Sequence, residues 1–197
     1  MTGFGASPIR SALTRLDHEG LVVTMPRKGY QVRPLTLRSI ENLFDVWSLI
    51  GPEIFRRGVV AASAEQHAEI VRLTQSIGDA RARPERLNEI AERVTRILAE
   101  ATANDHLVYI HDRLSADMAR VWMLVLDRDP DAAVLMSSPE HFDRIAERDG
   151  EALVDTVRHI IASFRDRVLD IVRQSPSVVD AEIVVRPSDA STPVAVF

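Results

Sequence analysis

Apolar residues recur along this chain at two different periods. From Ile9 to Leu16, and again from Ile40 to Ile171, they fall three and four positions apart, the spacing of helices that bury one face. Between these stretches the period changes. Leu21–Thr24 and Tyr30–Val32 are short β-branched and aromatic runs on either side of Pro26-Arg27-Lys28-Gly29, which predicts two strands joined by a basic turn. Ser7 before Pro8 is an N-cap followed by proline at the first helical position, and Gly20 ends that helix. Helix, strand, basic turn, strand is the order of the second half of a winged helix-turn-helix: recognition helix and wing.

The remainder reads as helices with local start and stop signals. Thr36 is placed to cap a helix carrying Ile40, Leu43, Phe44, Trp47 and Ile50. Gly51-Pro52 interrupts it before Glu53–Ala62 resumes, predicting one bent helix or two in tandem. Ser63-Ala64-Glu65-Gln66 is a capping box opening a helix to about Ile77. Pro84 starts the next, with Leu87, Ile90, Ala91, Val94, Ile97, Leu98 and Ala101 on its buried face. Asn104 or Asp105 caps another, carrying Leu107, Ile110, Leu114, Met118 and Val121 to about Leu126. Asp127–Ser137 is a loop. Ser138-Pro139 begins a short helix through His141, Phe142 and Ile145, and a long one follows Asp149-Gly150. No strand pattern occurs from Thr36 to Arg173. The expected fold class is mostly α: a partial winged helix over 1–35, an all-helical bundle of six or seven helices over 36–174, and an extended or disordered tail over 175–197. Within that tail Val179–Val185 forms a strand if it meets a partner edge.

Composition narrows the chemistry. The 197 residues carry a net charge of −5 and 46% hydrophobic residues, so DNA contact must be local rather than a property of the whole surface. The basic residues stand where a DNA module needs them. Arg10 lies in the first turn of the helix, Arg15 reaches towards phosphate, and Arg27 and Lys28 crown the turn. Cysteine is absent, which excludes disulfides and thiolate metal sites and fits a cytoplasmic setting. No apolar run approaches a membrane span, and the N-terminus does not read as a signal peptide. Asp155 and His159, spaced i and i+4, are the one acid–base couple in sight, and no nucleophile or phosphate loop accompanies them, so the chain reads as a non-enzyme. His67, His106 and His111 read as surface residues, and Arg56-Arg57 as a solvated face.

The wording SPIRSALTRLDHEGLVVTMPRKGYQV resembles the GntR family of bacterial transcription regulators. Their recognition helix and wing run close to S-R-T-P-V-R-E-A-L-x-x-L-x-x-E-G-L-V followed by a basic R-x-G turn. Pro8, Ile9, Arg10, Ala12, Leu13, Leu16, Glu19, Gly20, Leu21, Val22, Arg27 and Gly29 match. The resemblance implies operator DNA as a partner and Ser7, Arg10, Arg15, Arg27, Lys28 and Gly29 as contact residues. It also implies two helices and a short strand ahead of the recognition helix, where only Met1–Ala6 stand. Gly5 and Ala6 occupy two positions that are usually DNA-facing. Weak, mostly non-specific DNA binding is therefore expected of this sequence.

The helical part resembles the FCD ligand-binding domain of the FadR subgroup. Ile40–Ala62 is similar to its first helix, Val94–Asn104 to the segment written F-H-x-x-L-x-x-A-x-G-N, and Glu140–Ile160 to a weaker later segment. That resemblance implies a homodimer, a small-molecule effector and an effector pocket on Trp47, Ala91, Thr95, His141 and His159. Many FCD domains hold a divalent metal with an Asp and a His four apart on one helix plus two later His. Here Ala91 and Thr95 stand at the first two positions. The later pair falls either on His141 and His159 or, by strict spacing back from Asp149, on Ser138 and Ile160. No tightly bound metal and no cofactor are expected, because too few ligands remain. Trp47 stands where the family usually has an Arg for acidic effectors, and Gly51 where a Glu follows. An apolar or aromatic effector is expected. The resulting reading is a FadR-type GntR regulator; the alternative is a ligand-binding or dimerisation protein that no longer binds DNA.

Overall fold

The computed structural model describes residues 6–18, 20–77, 83–129, 139–174 and 184–185. The chain divides into two units. One contains the first helix and the strands, and the other spans residues 37–176.

In the first unit, α1 covers Ala6–His18. It begins two residues earlier than the Ser7-Pro8 pair implied, so Ser7 sits inside the first turn instead of capping it. Proline is accommodated there because first-turn amides have no helical partner to lose. The helix closes where Gly20 predicted. Leu21 N–H donates to Leu16 O and Gly20 N–H to Asp17 O, both at 2.9 Å, with Gly20 at φ 74°. This is a Schellman closure, and glycine supplies the left-handed residue it needs. β1 (Val22–Met25) and β2 (Gly29–Val32) form an antiparallel hairpin with Met25 opposite Gly29. Lys28 N–H closes the turn on Met25 O at 3.0 Å, and Arg27 is held at φ 64°. Thr24 Oγ1 donates to Asp17 Oδ2 at 2.8 Å, tying β1 to α1. β3 (Val184–Val185) pairs antiparallel with Tyr30 and Gln31, giving the strand order β1-β2-β3. The rest of the expected tail lies outside the described residues.

The second unit is helical throughout its described residues, with six helices: α2 (Leu37–Ala61), α3 (Ala64–Gln75), α4 (Pro84–Ala101), α5 (Asp105–Arg128), α6 (Pro139–Ala146) and α7 (Gly150–Gln174). α2 is one continuous helix with a buried Pro52 inside it. The expected capping box is made: Gln66 N–H donates to Ser63 Oγ at 3.1 Å and Ser63 N–H to Gln66 Oε1 at 2.9 Å. Asn104 Oδ1 accepts from the amides of His106 and Leu107. The residues at the expected Asp127–Ser137 loop divide: Asp127 and Arg128 extend α5, while 130–138 lie outside the described residues.

α2 and α7 lie against one another. α4 pairs with α5 and also touches α2, while α3 bridges α4 and α6. The core is aliphatic and aromatic, with Ile40, Phe44, Ile54, Ile90, Ile97, Leu98 and Leu153 fully buried. Two glycines set the helix approaches. A Cβ on Gly58 would sit 2.3 Å from Leu98 O, and one on Gly150 2.3 Å from Arg56 O, so backbone meets backbone at both crossings. Arg56 then links α2 to α7, donating to both oxygens of Glu53 at 2.8 Å and to Glu151 at 2.9 Å. Arg57 also bonds Glu53. These two arginines are thus anchored by ion pairs, not simply solvated as their sequence suggested. The double donation holds the Glu53 carboxyl down at about 2. Among the described residues no helix is long and apolar enough to cross a membrane.

Candidate functional site

A cavity of about 90 Å³ lies between α2, α4, α5, α6 and α7. Its wall follows from where each helix turns its apolar stripe. α2 contributes Phe44, Trp47 and Phe55, α5 contributes Leu114, Met118 and Trp122, and α7 contributes Val157, Ile160, Ile161 and Phe164 at i, i+3, i+4 and i+7. Three of the aromatic rings touch one another. Trp122 stacks on Phe164 with centroids 4.2 Å apart, and Phe44 meets the edge of Phe164 at 5.8 Å. Trp47 is seated over Gly51, whose Cβ, if present, would lie 3.3 Å from the indole and 2.9 Å from Ile161 Cδ1. The large and small residues one turn apart are complementary, and the glycine makes room for the indole.

Among the described residues the polar ones that line the cavity are few: Asn88, Glu92, Thr95, His111, Ser115 and His141. Thr95 Oγ1 lies 3.0 Å from Ala91 O and 3.1 Å from Glu92 O, so its hydrogen goes to the helix backbone. The same oxygen stands 3.0 Å from His111 Nε2. Ser115 Oγ donates to His111 O at 2.9 Å and stands 3.4 Å from the same ring nitrogen. His111 Nδ1 lies 3.2 Å from Asp112 Oδ1, and Arg96 holds that carboxylate at 3.3 Å. His111 is therefore buried and engaged through both ring nitrogens.

His141 is buried too, 7% exposed, against Phe55 at 5.5 Å between ring centroids. Its Nδ1 has no hydrogen-bond partner among the described residues. Burial alone lowers its pKa from 6.5 to about 4, so the ring is neutral at physiological pH.

The expected pocket residues separate under this geometry. Trp47, Ala91, Thr95 and His141 line the cavity together. His159 does not: it is exposed on α7, and the neighbouring Ile160 faces the cavity, because the α7 stripe passes through 157, 160, 161 and 164. Asp155 pairs with Arg158 at 3.2 Å, not with His159. His111, read from the sequence as a surface residue, is a cavity residue. The signal was present, since it stands four before Ser115 and seven before Met118 on one helical face. His67 is likewise not a plain surface residue; its Nε2 meets Ile145 O at 2.9 Å and joins α3 to α6. His106 is exposed, as read.

A divalent ion of the kind many FCD domains hold does not fit these residues. Ala91 offers no donor atom, the Thr95 hydroxyl is committed to backbone and His111, and His159 points away. Among the described residues no group of three or more His, Cys, Asp or Glu is placed to hold a metal.

In the first unit Ser7, Arg10 and Arg15 lie on exposed positions of α1, and Arg27 and Lys28 are exposed at the hairpin tip. Gly29 opens β2 at φ 95°, half-buried. The apolar stripe of α1 is only partly covered, with Ile9 44% exposed.

Comparison with known proteins adds three findings. Residues 42–163 match the family model described as the FCD domain. No curated protein sequence matches the chain. Solved structures share its fold. The Escherichia coli protein McbR/YncC has a TM-score of 0.69 at 15% identity, with 88% of this chain and 82% of that one covered. Lar, described as controlling expression of the Listeria monocytogenes agr system, has a TM-score of 0.64 at 14% identity, with 85% and 81% covered. A GntR-family transcriptional regulator from Pseudomonas syringae pv. tomato has a TM-score of 0.59 at 16% identity, with 88% and 74% covered.

Proposed function

Because the chain belongs to the FCD-domain family, we propose that it is a FadR-type GntR transcription regulator: a cytoplasmic homodimer in which a small molecule in the helical unit modulates DNA binding by α1 and the β1–β2 hairpin. The observation that carries the reading is the aromatic-walled cavity at the centre of the family-matched helices, in a chain that also exposes Arg10, Arg27 and Lys28 on a helix and hairpin tip. Effector pockets are concave, mostly apolar and supplied with a few polar groups, as this one is. The resemblance of α1 and the hairpin to a GntR recognition helix and wing supports the DNA side, with Ser7, Arg10, Arg15, Arg27, Lys28 and Gly29 as contacts. Trp47, Ala91, Thr95 and His141 are the proposed effector contacts, joined by His111. We read the chemistry on offer as binding.

The test is fluorescence anisotropy with a pool of genomic fragments, read over a salt series. Binding is expected to be weak and steeply salt-dependent, and to lessen in the Arg10→Ala, Arg27→Gly, Lys28→Ala triple variant. Each lost phosphate contact flattens the log–log salt slope by about 0.9. Glycine replaces Arg27 because φ 64° suits it. Sedimentation of the same sample is expected to give a dimer. A dimer that ignores DNA at every salt concentration would contradict the regulator reading and favour a ligand-binding or dimerisation protein.

A further inference from the structure

We propose that the cavity receives a neutral, compact hydroxyaromatic molecule, a phenol in chemical class, whose ring stacks within the aromatic wall and whose hydroxyl bonds His141 Nδ1 without a metal ion. The inference rests on the reading of the helical unit as an effector domain and names the effector's chemistry.

Charge comes first. Among the described residues no Lys or Arg lines the cavity, and the one carboxyl side chain on its wall, Glu92, repels an anion. A carboxylate ligand would be desolvated there with no cation to meet it, which is strongly unfavourable. A metal bridge is closed for the reasons of geometry given above. An acidic effector therefore has neither of the two devices that hold one in a bundle interior.

Shape comes second. Trp47, Phe44, Trp122 and Phe164 present ring faces and edges, which favour an aromatic guest over a flexible chain.

The third point is the polar group. His111, Thr95 and Ser115 satisfy one another and the helix backbone, so they ask nothing of a ligand. His141 Nδ1 is buried and unpartnered among the described residues, in a side chain that lines the cavity. A buried polar atom without a partner is destabilising, and a ligand that bonds it removes that cost. A phenolic hydroxyl both donates and accepts, so it satisfies either tautomer of a neutral imidazole. It also stays un-ionised at pH 7, because a phenol titrates near 10.

Three ring probes separate these arguments: 4-methylphenol, toluene and 4-methylbenzoate. Calorimetric titration of the full chain with chelator present is expected to show 4-methylphenol binding about tenfold tighter than toluene, the worth of one such hydrogen bond. No binding of 4-methylbenzoate is expected at pH 7. In His141→Phe, 4-methylphenol is expected to fall to the level of toluene while toluene binding persists, which shows that the cavity still forms. Equal affinity of the unaltered chain for 4-methylphenol and toluene would overturn the proposal without recourse to any variant. So would preferred binding of 4-methylbenzoate, binding that requires a divalent ion, or no uptake of any probe. The regulator reading fails separately: 4-methylphenol that binds through His141 but leaves DNA affinity unchanged would uphold the ligand chemistry and sink the coupling.

Discussion

His111 and His141 face one cavity from different helices, and both are buried, yet they are opposite in kind. Both ring nitrogens of His111 lie within hydrogen-bond reach of Thr95 and Asp112, and the ring leans on Trp47 with centroids 6.1 Å apart. His141 rests against Phe55 and Phe142 and leaves Nδ1 unanswered. The difference teaches how to tell architecture from receptor in a single pocket. An imidazole whose bonds are complete holds helices together, here α4 to α5. An imidazole that desolvation penalises, with no protein partner to offset it, is a site whose missing partner comes from elsewhere.

The contrast is sharpest in acid. His141 has a folded pKa of about 4 against 6.5 for the free group. The unfolded chain therefore holds the proton between those values while the folded chain does not, so stability is complete above about pH 6.5 and declines as pH falls to about 4. The full loss is about 3 kcal/mol. Urea midpoints measured across that window should fall for the unaltered chain and flatten in His141→Phe. A separate decline follows at lower pH. The Glu53 carboxyl, held down by Arg56 and Arg57, contributes stability above 4.5 that disappears as pH drops through about 2. Glu53→Gln should remove that second decline and leave the first.

At neutral pH the two histidines should differ in sign. His111→Leu removes the Thr95 and Asp112 bonds and should lower stability by about 1–3 kcal/mol. His141→Phe deletes an unpaired buried nitrogen and should leave stability unchanged or raise it by up to about 1 kcal/mol. Equal losses in thermal melts of the two variants would erase the distinction between them.

Gly51→Ala carries the smallest expected effect. Its Cβ would press on the tip of Ile161 and on the Trp47 indole, both able to shift, so the cost should stay below about 1 kcal/mol. Its readout is the cavity instead: tryptophan emission should change as the indole moves, whereas an exposed control such as Ala61→Ser should leave it alone.

Much of this architecture was legible in local sequence. Ser63 with Gln66, Asn104, Pro84, Pro139 and Gly20 mark helix ends because caps and fixed backbone angles act within four residues. The α2 ambiguity at Gly51-Pro52 needed tertiary structure, since burial against α4 and α7 holds the helix continuous through a proline. The cavity was legible only in part. Trp47, Ala91, Thr95 and His141 came from resemblance to family segments, while His159 went astray by one position, which on a helix is a rotation of about 100°. His111 was passed over because its helix face was traced through apolar residues alone. Whether a buried histidine is satisfied depends on groups sixteen positions away, such as Thr95, and no spacing rule reports that.

The central claim is that His141 waits in the cavity as a neutral, unpartnered imidazole. NMR titration of the histidine ring carbons, with His141→Phe identifying the resonance, tests it directly. The account predicts that the His141 signal stays in its neutral position from pH 7 downward and moves only near pH 4. A midpoint near the ordinary 6.5 would show a hydrated or paired imidazole and would contradict the claim.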